Sequence, residues 1–271
     1  MLDQVDLGQK LGKAEYKEQM DRLETQLGEL HRKIHELGIP AVIVFEGWDA
    51  AGRGTLINEL ILRLDPRGFK VFANHVCQGD DREYPFLWRY WNTTPAAGKI
   101  MRYDRSGYEA VRVGRIDGTT KTDQALLCNE IASFERQLTD SGCILIKLFL
   151  HITKKEQKKR MDELEQDPAT RWRVAEAEWR RHRKYDDYLR IIEDTLSRTD
   201  RANAPWTPVS AMDRRFAAVR ICGAVAQTLE QRIQIEERTR QNPPVKGSAP
   251  AAAEIGISLL DKVAVPTEWD L

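Results

Sequence analysis

Five short apolar runs alternate with segments of helical periodicity along the chain. The apolar runs are AVIVF at 41–45, KVFANHV at 70–76, KIMRYD at 99–104, CILIKLFLHI at 143–152 and WTPVSA at 206–211. The helix-like segments between the first four runs cover 53–65, 83–92, 106–116 and 120–141. Strands that alternate with helices indicate a parallel sheet covered on both faces. The pattern therefore predicts an α/β fold in which ligands bind at the carboxyl ends of the strands.

A longer amphipathic segment precedes the first strand. Its apolar residues recur in alternating steps of four and three, with charged residues between them. These residues are Tyr16, Met20, Leu23, Leu27, Leu30, Ile34 and Leu37. Gly38 and Pro40 follow, as expected where a helix ends. The stripe fits a helix packed on its own domain, and it also fits a seam of about three heptads between subunits.

The pattern changes after the fourth apolar run. Residues 153–200 are highly charged and helical in character, and Pro168 divides them into two segments. Residues 212–237 predict a last helix. The remainder, 238–271, is rich in Pro, Ala and Gly, which is typical of a flexible tail. We therefore expect one domain at 1–237, with a helical insertion at about 153–200, and a tail after it.

The composition narrows the class of protein. Of the 271 residues, 41% are hydrophobic and 31% are charged, and the formal net charge is zero. No apolar run is long enough to span a membrane, and the polar N-terminus lacks the pattern of a secretory signal. The four cysteines have irregular spacing, which indicates buried thiols in a reducing compartment. We expect a cytoplasmic protein with no membrane or nucleic-acid partner, which must bind anions through local charge.

The stretch EGWDAAGRGT at 46–55 follows the first strand directly. Gly47 and Gly52 have the spacing of a phosphate-binding loop, G-x-x-x-x-G-K-[ST]. Arg53 stands at the lysine position, and Gly54 stands at the hydroxyl position. In such a loop the backbone N–H groups and the start of the next helix point at one anion. The expected cradle comprises Gly47, Ala50, Ala51, Gly52, Gly54 and Thr55. The alternative is a strand-to-helix turn that binds no ligand.

Two aspartates are candidates for a magnesium site. Asp49 lies inside the loop, where a carboxylate beside bound phosphates needs a cation between them. Asp104 ends the third apolar run, and Arg105 follows it at once. Because Mg²⁺ takes oxygen ligands and bridges carboxylates to phosphates, we expect both aspartates to be its ligands. With Arg53 and Arg105 they form a catalytic constellation suited to phosphoryl transfer. A turn or N-cap role is the alternative for Asp49.

The segment TRWRVAEAEWRRHRK at 170–184 concentrates cations in a chain of zero net charge. The cations are Arg171, Arg173, Arg180, Arg181, Arg183 and Lys184. Such an insertion between the fourth and fifth strands is typical of a lid that closes over phosphates, and a solvated helix face is the alternative. We expect Arg171 and Arg173 to bind phosphate. Trp172 and Trp179 are expected to pack within the lid rather than to stack on bases.

Several long motifs, taken in order, resemble a known family. They are EGWDAAGRG, LDPRGFKV, EYPFLWRYW, PAAGKIMRYDRSGY, HITKKEQKKR, RWRV with YDDY, and APWTPVSAMDRRFA. From about Leu7 to Arg232 the chain resembles the family 2 polyphosphate kinases, in particular the polyphosphate:AMP phosphotransferase branch. The resemblance implies a three-layer P-loop-kinase fold with a helical lid, Mg²⁺ dependence and a homo-oligomer, dimer or tetramer. It also implies exchange of a phosphoryl group between inorganic polyphosphate and an adenine nucleotide.

The two site motifs match the family only in part. The loop of the family reads D-A-A-G-K-G, so that Arg53 replaces its lysine. The second acidic motif of the family reads D-R-S-W-Y-N-R, and its matching residues here are Asp104, Arg105, Ser106 and Tyr108. Gly107, Glu109 and Ala110 replace the tryptophan, asparagine and arginine. Further along, Arg115 matches and is carried over as a phosphate- or nucleotide-binding residue.

Three functions remain open from the sequence. The first is an active phosphotransferase that moves a phosphoryl group between polyphosphate and a nucleotide, with AMP favoured. The second is an impaired subunit that still binds polyphosphate or nucleotide, which the changes at Arg53, Gly107, Glu109 and Ala110 would favour. The third is a P-loop kinase for a small molecule, which the order of the motifs argues against.

Overall fold

The computed structural model describes residues 1–73, 83–119 and 122–241. Across these residues, five parallel strands form one sheet in the order β2-β3-β1-β4-β5. The strands are β1 (Ala41–Gly47), β2 (Phe69–Ala73), β3 (Ile100–Asp104), β4 (Ile144–His151) and β5 (Trp206–Ser210). Each strand lies within or overlaps one of the five apolar runs. The last residues of the second run, 74–76, lie outside the described residues.

Helices cover the sheet on both faces, since every residue of the two central strands β1 and β4 is buried. The helices are α1 (Lys13–Leu37), α2 (Arg53–Ile61), α3 (Trp88–Trp91), α4 (Gly107–Ile116), α5 (Gln124–Asp140), α6 (Lys154–Gln166), α7 (Glu176–Arg183), α8 (Tyr185–Thr199) and α9 (Arg214–Gln241). Short 3₁₀ turns lie at Leu2–Gln4 and Arg171–Arg173. The predicted α/β fold with a parallel sheet is confirmed.

Helix α1 buries its apolar stripe against the core of its own chain. Met20, Leu27, Leu30 and Ile34 are buried, and the other stripe residues pack partly buried against the same core. Gly38 caps the helix with φ 71, in the left-handed region that glycine adopts without strain. Packing within the domain therefore accounts for the heptad-like pattern.

The register of the sheet brings two chain segments together at its carboxyl edge. Phe45 of β1 pairs with Asp104 of β3 on one side and with Leu148 of β4 on the other. The loop that follows β1 therefore begins beside the end of β3. This edge, where parallel strands end next to a helix start, is where ligands bind in such sheets.

The charged insertion between β4 and β5 consists of α6, the 3₁₀ turn at Arg171–Arg173, α7 and α8. The side chain of Thr153 caps α6 and accepts a hydrogen bond from the backbone N–H of Glu156 at 3.1 Å. Helix α6 ends at Gln166, because Pro168 disfavours helical backbone geometry at the residue before it, Asp167. A second break at Lys184 separates α7 from α8, and the sequence pattern did not predict it.

The chain divides into two compact units, Met1–Ile233 and Gln234–Leu271. Helix α9 continues to Gln241, somewhat past the helix end expected at 237. The boundary expected after residue 237 stays a prediction, because most of the second unit lies outside the described residues. Within the described ranges, no helix is long and apolar enough to cross a membrane.

Three of the four cysteines lie within the described residues, and all three are buried free thiols, as the sequence predicted. Burial raises the pKa of Cys128 to about 11 and the pKa values of Cys143 and Cys222 to about 12. These thiols are therefore protonated at neutral pH and are poor nucleophiles. Cys77 lies outside the described residues.

Candidate active site

Glycine permits the sharp path of the loop between β1 and α2. A Cβ atom on Gly47 would lie 2.7 Å from the Cβ atom of Leu150, so glycine lets the end of β1 pass this close to β4. Gly52 is the N-cap of α2 and has φ 88, in the left-handed region. Ala50 has φ 60, which is uncommon for a residue with a side chain. Strained backbone of this kind is found at ligand sites.

Helix α6 binds the carbonyl groups of the loop. Gln157 Nε2 donates to the backbone oxygen of Asp49 at 3.3 Å, and Arg160 Nη1 donates to the backbone oxygen of Ala51 at 3.3 Å. The ring atom Nδ1 of His182, in α7, lies 2.8 Å from the amide oxygen Oε1 of Gln157. With these carbonyls turned to α6, the free N–H groups at the start of α2 are the donors left for an anion.

Arg53, at the lysine position of the loop, lies against Asp104. Its Nε atom is 3.4 Å from Asp104 Oδ1, and its Nη1 atom donates to the backbone oxygen of Gly47 at 3.3 Å. The structure therefore brings together the loop arginine and the aspartate at the end of β3, as the sequence predicted. The guanidinium bridges β3 and the loop rather than pointing away from the protein.

Arg105 and Glu109 form a second ion pair beside the first. Arg105 has φ 66, and its Nη1 atom lies 3.1 Å from Glu109 Oε1. Burial raises the pKa of Glu109, although the charges of Arg53 and Arg105 oppose that shift. Glu109, which stands at the asparagine position of the family motif, thus places its carboxylate against Arg105.

A third pair, between Glu46 and Arg112, is fully buried below the loop and was missed by the sequence reasoning. Glu46 Oε2 accepts a hydrogen bond from Arg112 Nη2. Glu46 Oε1 accepts hydrogen bonds from the backbone N–H of Ser106 at 2.9 Å and from its hydroxyl at 2.6 Å. This network ties the end of β1 to the start of α4. A glutamate at the end of an apolar strand was the available signal, since a buried carboxylate must be paired.

Asp49, the loop aspartate, contacts the lid. Arg181 Nε of α7 donates to Asp49 Oδ2 at 3.0 Å, and both side chains are buried. Burial acts to raise the pKa of Asp49, but the charges of Arg181, Arg53 and Arg105 outweigh it and hold the pKa below its usual value. Asp49 is therefore an ionised carboxylate at neutral pH, the form that a cation requires. The sequence indicated Arg181 as part of a basic run but could not identify its partner.

The site residues fit a divalent cation that is shared with substrate. Within the described ranges, no three His, Cys, Asp or Glu side chains form a cluster able to hold a metal. A cation at Asp49 and Asp104 would take its other ligands from water and phosphate, as Mg²⁺ does in phosphoryl-transfer sites. Five arginines near the loop each face a carboxylate: Arg53 with Asp104, Arg105 with Glu109, Arg112 with Glu46, Arg160 with Glu156 and Arg181 with Asp49. A polyanion would therefore need further positive charge.

Three predicted phosphate-binding arginines lie elsewhere. Arg115 Nη1 pairs with Asp194 Oδ2 of α8 at 3.3 Å, at the far end of α4 from Asp104. Arg171 and Arg173 are exposed in the 3₁₀ turn, and no contact recorded among the described residues joins either one to the loop. The expectation that Trp172 packs within the lid is wrong: its side chain is 74% exposed, with Arg173 stacked on its ring.

The substituted positions of the second motif have different surroundings. A Cβ atom on Gly107 would lie 3.3 Å from Phe86 Cζ and 3.5 Å from Ile131 Cδ1, so these side chains crowd the space beside Gly107. Ala110 is exposed on α4. Only Glu109, of the three substituted residues, contacts a charged residue of the site.

The chain is similar to known proteins over most of its length. A family model described as Polyphosphate kinase 2 (PPK2) matches residues 10–238. A polyphosphate:AMP phosphotransferase of Pseudomonas aeruginosa is 38% identical over 231 residues, which are 85% of this chain and 47% of that protein. A protein of the same name from Pseudomonas syringae pv. tomato is 36% identical over 236 residues, again 85% and 47%. The chain thus spans about half the length of these curated relatives.

A solved structure of similar length has the same fold. The crystal structure of Polyphosphate Kinase 2 from Arthrobacter aurescens TC1 matches with a TM-score of 0.79 and 27% sequence identity. The match covers 85% of each chain. The matched part of this chain therefore corresponds to most of the chain in that structure.

Proposed function

Because the chain belongs to the polyphosphate kinase 2 family, we propose that it moves a phosphoryl group between inorganic polyphosphate and a nucleotide, with AMP as the favoured acceptor. One observation carries the proposal. The phosphate-type loop after β1 and Asp104 at the end of β3 lie side by side, with Arg53 against Asp104. A loop, a carboxylate and arginines at one edge are what phosphoryl transfer requires, because the protein contributes mainly position and charge.

In the proposed reaction, a phosphate oxygen of AMP attacks the terminal phosphorus of polyphosphate. The bond from that phosphorus to the next bridging oxygen breaks, and the shortened chain leaves with the electron pair. ADP is the other product. Arg53 and Arg105 stabilise the negative charge that spreads over the transferring group. The reverse direction is open too, because one phosphoanhydride bond replaces another.

We assign Mg²⁺ to Asp49 and Asp104 as part of this proposal. Both side chains supply oxygen atoms, and the low pKa of Asp49 keeps it ionised. When bound, the cation would neutralise phosphate charge, which the paired arginines alone leave uncompensated. The loop N–H groups orient the polyphosphate chain, and the lid excludes water from the transfer.

AMP as the acceptor rests on the names of the two Pseudomonas relatives, both polyphosphate:AMP phosphotransferases. The preference is proposed for this chain and is tested by competing AMP against ADP in one reaction. A homo-oligomer, dimer or tetramer, is proposed on the family resemblance and is tested by light scattering of the purified chain.

The experiment that tests the function compares the wild type with Asp49→Asn and Asp104→Asn. Formation of ADP is measured after purified protein is incubated with Mg²⁺, long-chain polyphosphate and AMP. Polyphosphate binding is measured separately. We expect turnover by the wild type and a loss of at least a hundredfold in each variant, as for loss of a group that stabilises the transition state. If the wild type binds polyphosphate but forms no ADP, the chain is a binding subunit and the proposed activity is wrong.

A further inference from the structure

Arg181 of α7 joins several charged groups at the boundary between the lid and the phosphate loop. Its side chain is 5% exposed and contacts three carboxylates. Nε donates to Asp49 at 3.0 Å, and Nη1 donates to Asp117 at 3.4 Å. The third contact, from Nη2, is with Glu178 of the same helix at 2.6 Å. One guanidinium thus joins α7 to the phosphate loop and to the end of α4.

Within the described residues, no other lid side chain forms a hydrogen bond or ion pair with the carboxylate of Asp49. Gln157 binds the backbone oxygen of Asp49, which leaves the carboxylate to Arg181. Burial acts to lower the pKa of Arg181, but the carboxylates, Asp49 foremost, raise it, so the guanidinium keeps its charge. The neighbouring Arg180 also reaches Asp117, at 3.2 Å, but its side chain is 50% exposed and has no recorded contact with Asp49.

We propose that Arg181 is a positioning residue that holds the lid on the phosphate loop and competes with the divalent cation for Asp49. The inference rests on the proposed function, which assigns a cation to Asp49. A guanidinium 3.0 Å from one carboxylate oxygen repels a divalent cation bound to the same carboxylate, and a buried site screens this repulsion little. The lid contact and the cation therefore weaken each other.

Competition of this kind has a reciprocal consequence. If lid closure weakens cation binding by some factor, the cation must weaken lid closure by the same factor, because the two equilibria are linked. Arrival of the cation then releases Arg181 from Asp49 and leaves its positive charge free to face incoming phosphates. A merely structural ion pair would have no such dependence on the cation.

The first test measures the lid contact without any cation. Hydrogen exchange of peptides that cover α7 is compared in metal-free wild type, Arg181→Gln, Asp49→Asn and the double variant. We expect about tenfold faster exchange of α7 in each single variant and no further increase in the double variant. Arg180→Gln, which loses the same charge, is the matched control and should change little. If α7 of Arg181→Gln exchanges as in the wild type, while β4 peptides are equally protected in both, Arg181 does not hold the lid on the phosphate loop.

The second test measures the affinity for Mn²⁺ alone by electron paramagnetic resonance. We expect about tenfold tighter binding in Arg181→Gln, an intermediate value in Arg181→Lys, and wild-type binding in Arg180→Gln. Saturating Mn²⁺ should also speed exchange of α7 in the wild type. Equal or weaker binding by Arg181→Gln would overturn the competition. The Asp49→Asn variant separates the two proposals. If it binds Mn²⁺ as the wild type does, the assignment of the cation to Asp49 is wrong. Hydrogen exchange of α7 still tests whether Arg181 holds the lid on the phosphate loop.

Discussion

Arg53 occupies the position at which the phosphate loop pattern has a lysine, and the structure ties it down at both ends of its guanidinium. Nε lies against Asp104, and Nη1 donates to the carbonyl of Gly47. A lysine would offer one compact ammonium charge on a flexible side chain, and it could contact phosphate without the fixed planar geometry of a guanidinium. The sequence placed Arg53 and Asp104 in one site, but their direct ion pair was not visible in it, because it depends on the β1–β3 register.

We predict that Arg53→Lys raises the turnover of AMP to ADP several-fold. The shorter side chain would release Asp104 for the cation and place an ammonium near the transferring phosphate. Initial rates at saturating polyphosphate measure the effect, with Arg53→Gln as the control that removes the charge. A fall in rate with Arg53→Lys would mean that arginine is the adapted catalytic residue in this chain.

Gly47 is required for a different reason, which is space. The atom that alanine would add lies 2.7 Å from the Cβ atom of Leu150. We predict that Gly47→Ala lowers the free energy of unfolding by about 2 kcal/mol, because β1 and β4 must separate. Gly54→Ala is the matched control, since no atom lies within 4 Å of its added carbon. Chemical denaturation of the two variants checks this, and equal stability would contradict the close approach of the strands.

At the scale of elements, strand β4 carries a buried ion pair with helix α5. Lys147 Nζ lies 3.0 Å from Glu135 Oε2 of α5 and donates to the carbonyl of Thr199 at 2.6 Å. The ammonium also lies over the rings of Tyr108 and Trp206. Burial raises the pKa of Glu135 to about 7, although Lys147 acts to lower it. The pair therefore fixes α5 and the end of α8 against the sheet.

We predict that Lys147→Met destabilises the fold by about 3 kcal/mol near pH 8 and by less near pH 5. Loss of the ammonium raises the folded-state pKa of Glu135 further above the unfolded value. Stability tied to the protonated carboxyl is then present at low pH and is lost as pH rises through the folded pKa. Urea denaturation at both pH values measures it, and the Lys147→Met, Glu135→Leu pair should recover most of the loss. A larger cost at pH 5 than at pH 8 would contradict the assignment.

The elements themselves were largely predictable from the sequence. Apolar runs such as 41–45 and 143–152 gave strands because both faces of a central parallel strand are buried. The break at Lys184 was not predictable, since charged residues on both sides of it support either one helix or two. The pair Arg181–Asp49 is separated by 132 residues, so only the folded lid brings it together.

At the scale of the whole domain, the phosphate loop lies between a fixed sheet edge and a cation-rich lid. The positions of the loop after β1 and of Asp104 at the end of β3 agree with the sequence pattern, because motif spacing and strand ends are local signals. The contact of Arg181 with Asp49 was not predicted, and phosphate binding by the exposed Arg171 and Arg173 stays a prediction. Which cation of a run faces the site depends on helix rotation and packing, which a charge run does not encode.

We predict that Arg171→Ala weakens polyphosphate binding by about three- to tenfold at low salt. An exposed arginine of the lid attracts the polyanion through solvent, and added salt screens that attraction. The difference from wild type should therefore shrink at high salt. Binding of fluorescent polyphosphate at two salt concentrations measures it, and Arg190→Ala on the exposed face of α8 is a control of equal charge. Unchanged binding at low salt would count against a role of the 3₁₀ turn in polyphosphate binding.

The central claim is that this domain itself transfers a phosphoryl group from polyphosphate to a nucleotide. The most direct measurement incubates the purified chain with radiolabelled long-chain polyphosphate, AMP and Mg²⁺ and follows the label. We predict that label appears in the β-phosphate of ADP, and that chelation of the cation or Asp104→Asn abolishes its appearance. Polyphosphate that binds to the protein while AMP remains unlabelled would show that this domain binds polyphosphate without transferring its phosphoryl group.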